Sequence, residues 1–320
     1  MTVGAEEIRA AARTIAGAVV RTPLVPARRL GERLGCALHL KLETLQYTGS
    51  FKDRGALVKL AGLTPEQRRA GVIAMSAGNH AQGVAHHARR LGIPATIVMP
   101  EFAPFSKVER TRGFGARVVL TGDTLDASAT AAREIAAREG LTFVHPYDDP
   151  LIVAGQGTIG FEMLEDEPGL EALIVPIGGG GLISGIATAA KSLKPEIEVY
   201  GVEAALFPSM YRAIKGLEPT AGGQTLADGI AVKNPGELTR EIIERLVEEI
   251  VLVDEPSIES AVHLLVEDQS LVAEGAGAAG IAALLAERER FAGRKVGVVI
   301  GGGNIDVRLL SAVLARGLVR

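Results

Sequence analysis

Short apolar runs alternate along the first half of the chain with stretches whose apolar residues recur every three or four positions. The runs have the length of buried strands, and the stretches between them have the period of amphipathic helices. Strands are predicted at residues 38–43, 71–75, 95–99, 117–120 and 141–144, and helices at residues 5–19, 51–63, 80–91, 105–114 and 125–137. Strands that are apolar throughout and separated by helices are typical of a parallel sheet covered on both faces.

The alternation continues through the second half after residues 145–150, which read His-Pro-Tyr-Asp-Asp-Pro. Strands are predicted at residues 172–177, 198–203 and 295–300, and helices at residues 157–164, 182–193, 237–249, 257–266, 273–286 and from 307 onward. Residues 221–235 are rich in Gly, Asp and Pro and predict a loop. We therefore expect an α/β protein of two parallel-sheet lobes with a cleft between them, the large lobe from residues 1–65 and 149–320 and the small one from residues 66–148.

The composition narrows the classes of function. A chain of 320 residues with 47% hydrophobic residues can bury a substantial core. Its formal net charge is −4 and it has no long basic run, so neither nucleic acid nor a membrane surface is predicted as a partner. Cys36 is the only cysteine, and Glu6 and Glu7 stand where a signal peptide needs an apolar core, so a cytoplasmic location is expected.

Lys52 stands where a lysine has no evident structural reason to be. It falls in the first turn of the helix predicted from residue 51, for which Ser50 is a suitable N-cap. A helix N-terminus favours negative charge, so the charged form of a lysine there, partly desolvated beside Phe51, is disfavoured. A neutral amine can form an imine. Taken alone, this stretch better fits a solvated lysine that merely tolerates its position.

Two further loops follow predicted strands, where the ligands of parallel sheets collect. The first, called the asparagine loop, consists of Ser76, Ala77, Gly78, Asn79 and His80. It opens a helix, so its N–H groups can hold a carboxylate. For these five residues alone, an ordinary helix cap formed by Ser76 or Asn79 is the favoured interpretation.

The second, called the glycine loop, consists of Gly178, Gly179, Gly180, Gly181 and Leu182. Four glycines let the backbone curl around a tetrahedral anion in front of a helix N-terminus. Because no Lys or Arg lies beside it, the loop differs from the phosphate loop of nucleotide hydrolases, and a small phosphate held by backbone N–H groups fits better. The rival is a dinucleotide-binding unit with Glu203 as its ribose acid, although Ser184 stands where the third glycine belongs.

Taken together, these loops resemble those of the fold-type II pyridoxal-phosphate enzymes, which have the tryptophan synthase β-like fold, and most closely the threonine dehydratase and serine racemase group. The resemblance extends from about residue 21 to residue 320. It is carried by the asparagine and glycine loops and by the motifs Thr48-Gly49-Ser50-Phe51-Lys52-Asp53-Arg54-Gly55, His145-Pro146-Tyr147-Asp148-Asp149, Gly155-Gln156-Gly157-Thr158, Ala227-Asp228-Gly229-Ile230-Ala231, Glu274-Gly275-Ala276-Gly277-Ala278 and Gly302-Gly303-Asn304-Ile305-Asp306.

The resemblance implies pyridoxal 5'-phosphate as the cofactor and a role for each loop. It assigns Lys52 to the imine with the cofactor, Phe51 to packing against the pyridine ring and Asn79 to the 3-oxygen. The glycine loop would bind the cofactor phosphate, and the asparagine loop would bind the substrate carboxylate. The freed amine of Lys52 would then remove the Cα proton, the β-hydroxyl would leave, and hydrolysis would give a 2-oxo acid and ammonia.

On this resemblance we predict a threonine dehydratase, also called threonine ammonia-lyase, that converts L-threonine to 2-oxobutyrate and ammonia and also L-serine to pyruvate. Its partner would be a small β-hydroxy amino acid, its assembly a homodimer or homotetramer, and its metabolic place isoleucine biosynthesis. A 3-hydroxyaspartate dehydratase and a serine racemase are the alternatives within the group. A nicotinamide-dependent oxidoreductase is the alternative from another class.

Three positions and the end of the chain depart from the pattern of the group. Ala77 replaces the serine with which racemases act on the opposite face of Cα, so little racemisation is expected, and Gly301 replaces the Ser or Cys that usually reaches the pyridine nitrogen. Glu203 matches a cation ligand of relatives, but Ser209 replaces the second ligand, an Asp, so no metal site is predicted. The chain ends at Arg320 without a regulatory domain, so isoleucine inhibition is not expected.

Overall fold

The structure, a computed structural model, describes residues 3–317 and confirms the α/β architecture. The strands are β1 (Leu24–Pro26), β2 (Ala37–Leu42), β3 (Val72–Met75), β4 (Ala95–Met99), β5 (Arg117–Leu120), β6 (Thr142–Phe143), β7 (Ala172–Pro176), β8 (Glu198–Ala204), β9 (Glu249–Val253) and β10 (Lys295–Ile300). The end of the chain at Arg320, on which the expectation about a regulatory domain depends, lies outside the described residues.

Helices connect and cover these strands. They are α1 (Ala5–Ile15), α2 (Arg28–Leu34), α3 (Lys52–Ala61), α4 (Pro65–Ala70), α5 (Asn79–Leu91), α6 (Phe105–Gly113), α7 (Leu125–Glu139), α8 (Pro150–Asp166), α9 (Gly181–Leu193), α10 (Ser209–Ile214), α11 (Glu237–Leu246), α12 (Glu255–Gln269), α13 (Gly275–Ala286), α14 (Arg288–Phe291) and α15 (Val307–Gly317). Two short 3₁₀ turns, Glu43–Leu45 and Asp228–Ile230, lie in loops. No helix among residues 3–317 combines the length and the apolar character needed to cross a membrane.

The strands form two sheets, as the alternating pattern predicts. The larger has the order β1-β2-β10-β7-β8-β9 and is parallel except for its edge strand β1, which runs antiparallel to β2. The smaller has the order β5-β4-β3-β6 and is parallel throughout. All four strands of the smaller sheet fall within residues 66–148, the range assigned to the small lobe. The lobe boundaries themselves stay a prediction.

Apolar side chains fill both faces of both sheets. On the larger sheet, α2, α12 and α13 pack on one face and α8, α9 and α11 on the other. On the smaller sheet, α3 and α5 pack on one face and α7 on the other. Strands buried on both faces are apolar throughout rather than alternating, which is why the pattern of short apolar runs predicts this fold.

Some predicted bounds are wrong for identifiable reasons. Helix α8 begins at Pro150 and not near residue 157, because the Asp149 carboxylate caps it by accepting from Leu151 N at 2.9 Å and Pro150 fits its first turn. The helix predicted at residues 237–249 ends at Leu246, and Glu249 opens the edge strand β9. The predicted first helix stops at Ile15.

Candidate active site

Lys52 is the first residue of α3, but the predicted cap of that helix is wrong. The N-cap position falls on Phe51, and no side chain caps it. Instead the Asp53 carboxylate turns back and accepts both Thr48 N and Thr48 Oγ1 at 2.9 Å. The Ser50 hydroxyl is fully buried and finds no hydrogen-bond partner among the described residues. The turn before Lys52 is therefore closed by Asp53, which leaves the Ser50 oxygen uncommitted.

The Lys52 amine lies in the cleft between the two sheets. Its Nζ donates to the carbonyl of Pro146 at 2.7 Å and lies 5.2 Å from the centre of the Phe51 ring. Burial lowers the pKa of Lys52 to about 8, and the negative charge of Glu274 opposes part of that fall. The expectation that the charged form is disfavoured at this position is confirmed.

The glycine loop joins β7 to α9 and faces the same cleft. A Cβ at Gly179 would overlap the ring of Tyr147, the residue that follows Pro146. Gly180 has φ +96°, a conformation that other residues rarely adopt. Within the part of the chain that the structure describes, no acceptor is found for the N–H groups of Gly178, Gly179 and Gly180. The loop thus presents uncommitted donors at the N-terminus of a 13-residue helix.

The asparagine loop joins β3 to α5 and approaches the cleft from the smaller sheet. Gly78 N donates to Ser76 Oγ at 3.1 Å, and neither Ser76 nor Asn79 caps the helix, whose N-cap is Gly78. His80 is buried with Nε2 3.0 Å from the carbonyl oxygen of Val144, and burial lowers its pKa to about 3. His80 is therefore neutral. Because neither Ser76 nor Asn79 caps α5, the interpretation of this loop as an ordinary helix cap is wrong.

Glu274 and Asn304 belong to this site, although the residue pattern alone did not place either there. Asn79 Nδ2 donates to Glu274 Oε1 at 2.6 Å, and Asn304 Nδ2 donates to Asn79 Oδ1 at 2.8 Å. Burial, helped by the charge of Asp228, raises the pKa of Glu274 to about 7. The motifs that contain Glu274 and Asn304 were visible in the sequence, but their meeting with Asn79 depends on the fold.

Gly301 follows β10 and contacts Phe51, the residue that precedes Lys52. Phe51 N donates to the carbonyl of Gly301 at 3.0 Å, and a Cβ at Gly301 would lie 3.3 Å from Phe51 Cδ1. Only a small residue therefore fits beside the Phe51 ring as it stands. Ala77 is half-buried in the asparagine loop, where its methyl group offers no proton.

Glu203 supports neither a ribose contact nor a cation site. Its buried carboxylate accepts Met210 N and Tyr211 N, both at 2.8 Å, and so caps α10. Ser209 donates its hydroxyl to the carbonyl of Val232. Because Glu203 is only 1% exposed and its carboxylate caps α10, it is not accessible to a ribose, and the dinucleotide interpretation of the glycine loop loses its acid. Residues 3–317 contain no cluster of three or more His, Cys, Asp or Glu side chains with metal-ligand geometry.

Asp148 and Asp149 shape the turn that follows β6 and leads into α8. Asp148 accepts Glu237 N at 3.1 Å and Thr239 N at 3.2 Å, and Asp149 pairs with Lys59 at 2.5 Å. Thr239 Oγ1 in turn donates to the carbonyl of Gly179 at 2.7 Å. These contacts fix the glycine loop against the segment that carries Pro146.

These features fit pyridoxal phosphate. An aldehyde needs a neutral amine, which Lys52 can supply, and a phosphate needs several N–H donors, which the glycine loop leaves free. The arrangement can therefore hold an aldehyde and an anion at two points of one cleft. The titratable side chains beside Lys52 and Asn79 include His80, His145 and Glu274.

Comparison with known proteins supports this chemistry. A family described as pyridoxal-phosphate dependent enzymes matches residues 15–302. An L-threonine ammonia-lyase of Thermotoga maritima is 50% identical over 317 residues, which span 98% of this chain and 79% of that protein. The structure of maize serine racemase has a TM-score of 0.92 at 33% identity, over 99% of this chain and 98% of that one. The processed threonine deaminase isoform 2 of Solanum lycopersicum has a TM-score of 0.91 at 34% identity, over 100% and 91%.

Proposed function

Because the chain belongs to the pyridoxal-phosphate-dependent enzymes of the threonine dehydratase family, we propose that it is an L-threonine ammonia-lyase. It converts L-threonine to 2-oxobutyrate and ammonia, and also L-serine to pyruvate and ammonia. When bound, pyridoxal 5'-phosphate supplies an electron sink that makes the Cα proton of an amino acid acidic. The protein supplies the base, the anion sites and the orientation of the substrate.

The placement of the Lys52 amine, which contacts the carbonyl of Pro146 and lies over the Phe51 ring, is the observation that supports this proposal most. Its pKa of about 8 leaves roughly a tenth of the amine neutral at pH 7, against less than about a thousandth for an ordinary lysine. The neutral form binds an aldehyde, and the same nitrogen, once released, takes the Cα proton of the substrate. The carbonyl of Pro146, 2.7 Å away, holds Nζ in the cleft.

We propose the remaining site residues from the same geometry. The free N–H groups of residues 178–182 bind the cofactor phosphate, and residues 76–80 bind the substrate carboxylate at the start of α5. Phe51 packs on the cofactor ring and Gly301 borders it. Asn79 holds an oxygen of the cofactor with its amide. We expect Ala77 to leave the opposite face of Cα without an acid, which favours elimination over the racemase alternative.

The test joins a covalent marker to product analysis. Protein supplied with pyridoxal phosphate should show a visible absorption band, and borohydride should abolish it while adding mass at Lys52. A separate, unreduced sample should convert L-threonine to 2-oxobutyrate faster than it converts 3-hydroxyaspartate to its keto acid. Lys52→Ala should lower the rate by about 10³-fold or more, whereas the exposed Lys215→Gln should leave it unchanged.

The same incubations decide between the alternatives. With L-serine, pyruvate should exceed D-serine by about 10²-fold, because one positioned acid or base contributes that much to a proton transfer. A comparable yield of D-serine would identify a racemase. Label at another lysine, or no band at all, would refute the proposed site.

We further propose that the enzyme works in the cytoplasm as a homodimer or homotetramer and that its 2-oxobutyrate enters isoleucine biosynthesis. A sequence with Cys36 as its only cysteine suits a reducing compartment. Leu45 and Tyr47, which are 51% and 58% exposed, are apolar side chains that an interface between copies of the chain would cover. Light scattering of the purified protein measures the assembly.

A further inference from the structure

Helix α6 belongs to the smaller lobe but contacts two loops of the larger one. Lys107 Nζ lies 2.6 Å from Asp228 Oδ2, in the 3₁₀ turn Asp228–Ile230. Arg110 Nη1 donates to Asn304 Oδ1 at 3.0 Å, in the loop after β10. One helix of the smaller lobe is thus held by two polar contacts across the cleft.

The second contact continues into the site as a chain of hydrogen bonds. A guanidinium can only donate, so Arg110 requires the oxygen of the Asn304 amide to face it. The nitrogen of Asn304 then faces inward, where it donates to the carbonyl of Thr48 and to Asn79 Oδ1, both at 2.8 Å. Asn79 therefore turns its own nitrogen to Glu274 Oε1 at 2.6 Å. The orientation of each amide follows from that of its neighbour.

We propose that Arg110 is a positioning residue that acts through Asn304. It fixes the amide of Asn79 in the orientation that presents N–H groups to Glu274 and to the cofactor. This inference rests on the proposed function. Seating of α6 on the larger lobe then orients Asn79. An open position of α6 would leave the Asn304 oxygen without Arg110 and free both amides to turn.

Two further observations agree with this role. Arg110 is exposed, so burial gives no reason for an arginine there, and an exposed polar contact adds little to stability. Lys107, on the same helix, lowers the pKa of Glu274 against the effects of burial and of Asp228, so a second basic residue of α6 acts across the cleft on the carboxyl group that Asn79 contacts.

The experiment compares Arg110→Met with Arg112→Met in the full-length protein. Arg112 is an equally exposed arginine of α6, but it pairs only with Glu109 of its own helix at 2.7 Å. Amide hydrogen exchange of residues 105–113 in the cofactor-free protein measures the seating of α6. The pH titration of the visible band measures the environment of the bound cofactor, and steady-state kinetics separate KM from kcat.

For Arg110→Met we expect faster exchange and a displaced titration midpoint. We also expect kcat/KM to fall about threefold to tenfold, the worth of one ordinary hydrogen bond. Arg112→Met should match the wild type in all three, and Arg110→Lys, which also only donates, should recover part of the loss. Urea midpoints should be equal in all variants.

Equal titration midpoints and equal kcat/KM for Arg110→Met and Arg112→Met would overturn the proposal, whether or not exchange changes. A wild-type protein with no visible band would instead refute the proposed function, a result that the titration distinguishes from a failure of Arg110. Loss of folding in Arg110→Met alone would point to a structural role and would also overturn it.

Discussion

At the scale of single residues, the site depends on the Lys52 amine, whose pKa is set by two opposing effects. Burial lowers the pKa of Lys52 to about 8, and Glu274 raises it from a still lower value. Glu274 is itself buried, and its pKa of about 7 means that it is mostly ionised where Lys52 titrates. Lys52 therefore becomes neutral close to physiological pH, while the Glu274 carboxylate keeps the pKa of Lys52 from falling further.

This balance predicts the behaviour of Glu274→Gln. Glutamine keeps an oxygen that can accept from Asn79, but it removes the negative charge that raises the pKa of Lys52. A lower amine pKa means that the neutral form appears at lower pH. The rate at which cofactor-free protein gains its visible band should therefore reach half of its plateau at lower pH in the variant than in the wild type.

The control for this prediction is Glu196→Gln, which removes a carboxylate that is exposed at the surface. Its half-plateau pH should equal that of the wild type, because exposed charges at a distance are screened. A half-plateau pH for Glu274→Gln that is unchanged or higher would show that Glu274 does not act on the amine.

At the scale of elements, the cleft depends on how closely the segment after β6 approaches the glycine loop. A side chain at Gly179 would overlap the Tyr147 ring, so Gly179→Ala should cost about 1–3 kcal/mol of unfolding free energy, the usual penalty for overpacking. Urea unfolding of the cofactor-free protein measures it. Gly222→Ala, at a glycine with open space around its Cβ position, should cost much less.

A double-mutant cycle isolates the cause. Tyr147→Ala removes the ring together with its hydrogen bond to the carbonyl of Asn234 at 2.7 Å, so it destabilises on its own. In the double variant, the Gly179→Ala penalty should shrink by about 1 kcal/mol or more, because the overlap is gone. Additive penalties would mean that the ring is not what excludes a side chain at residue 179.

Elements also show how far the sequence could be interpreted alone. Strands buried on both faces and helices between them left a clear pattern, so both sheets could be predicted. The edge strand β1 and the short helix α10 left no clear pattern, because three and six residues are too few for a period to emerge. The N-terminal cap of α3 was assigned to Ser50, which is a good cap by residue type. In the structure, Asp53 instead bonds back to Thr48.

The candidate site divides in the same way. Lys52 and the two loops follow strands directly, so their neighbourhood could be predicted from the rule for parallel sheets. For Glu274 only the family resemblance suggested a place near the cofactor, and Asn304 was not placed, since both roles arise from contacts with Asn79 across 195 and 225 positions of sequence. The commitment of Glu203 to α10 likewise depended on a helix that the pattern did not reveal.

At the scale of the whole molecule, a buried network of charges joins Lys52's helix to the body of the larger lobe. Arg54, which is fully buried, donates to both oxygens of Glu43 at 2.8 and 2.9 Å and to Glu162 at 2.6 and 2.8 Å. Lys41 donates to Glu162 and to the carbonyl of Thr22, both at 2.6 Å. Two cations and two carboxylates thus balance inside the protein and tie β2, α3 and α8 together.

This balance predicts that Glu43→Gln is strongly destabilising. Burial lowers the pKa of Lys41 and disfavours the charged form of Arg54. The two carboxylates therefore stabilise both cations inside the protein. Removing one carboxylate leaves an uncompensated buried charge, which costs about 3–5 kcal/mol. The exposed pair of Glu6 and Arg9 provides the comparison, and Glu6→Gln should change stability by less than about 1 kcal/mol. Urea unfolding at pH 7 measures both, and equal midpoints for the two variants would show that the network does not carry the stability assigned to it.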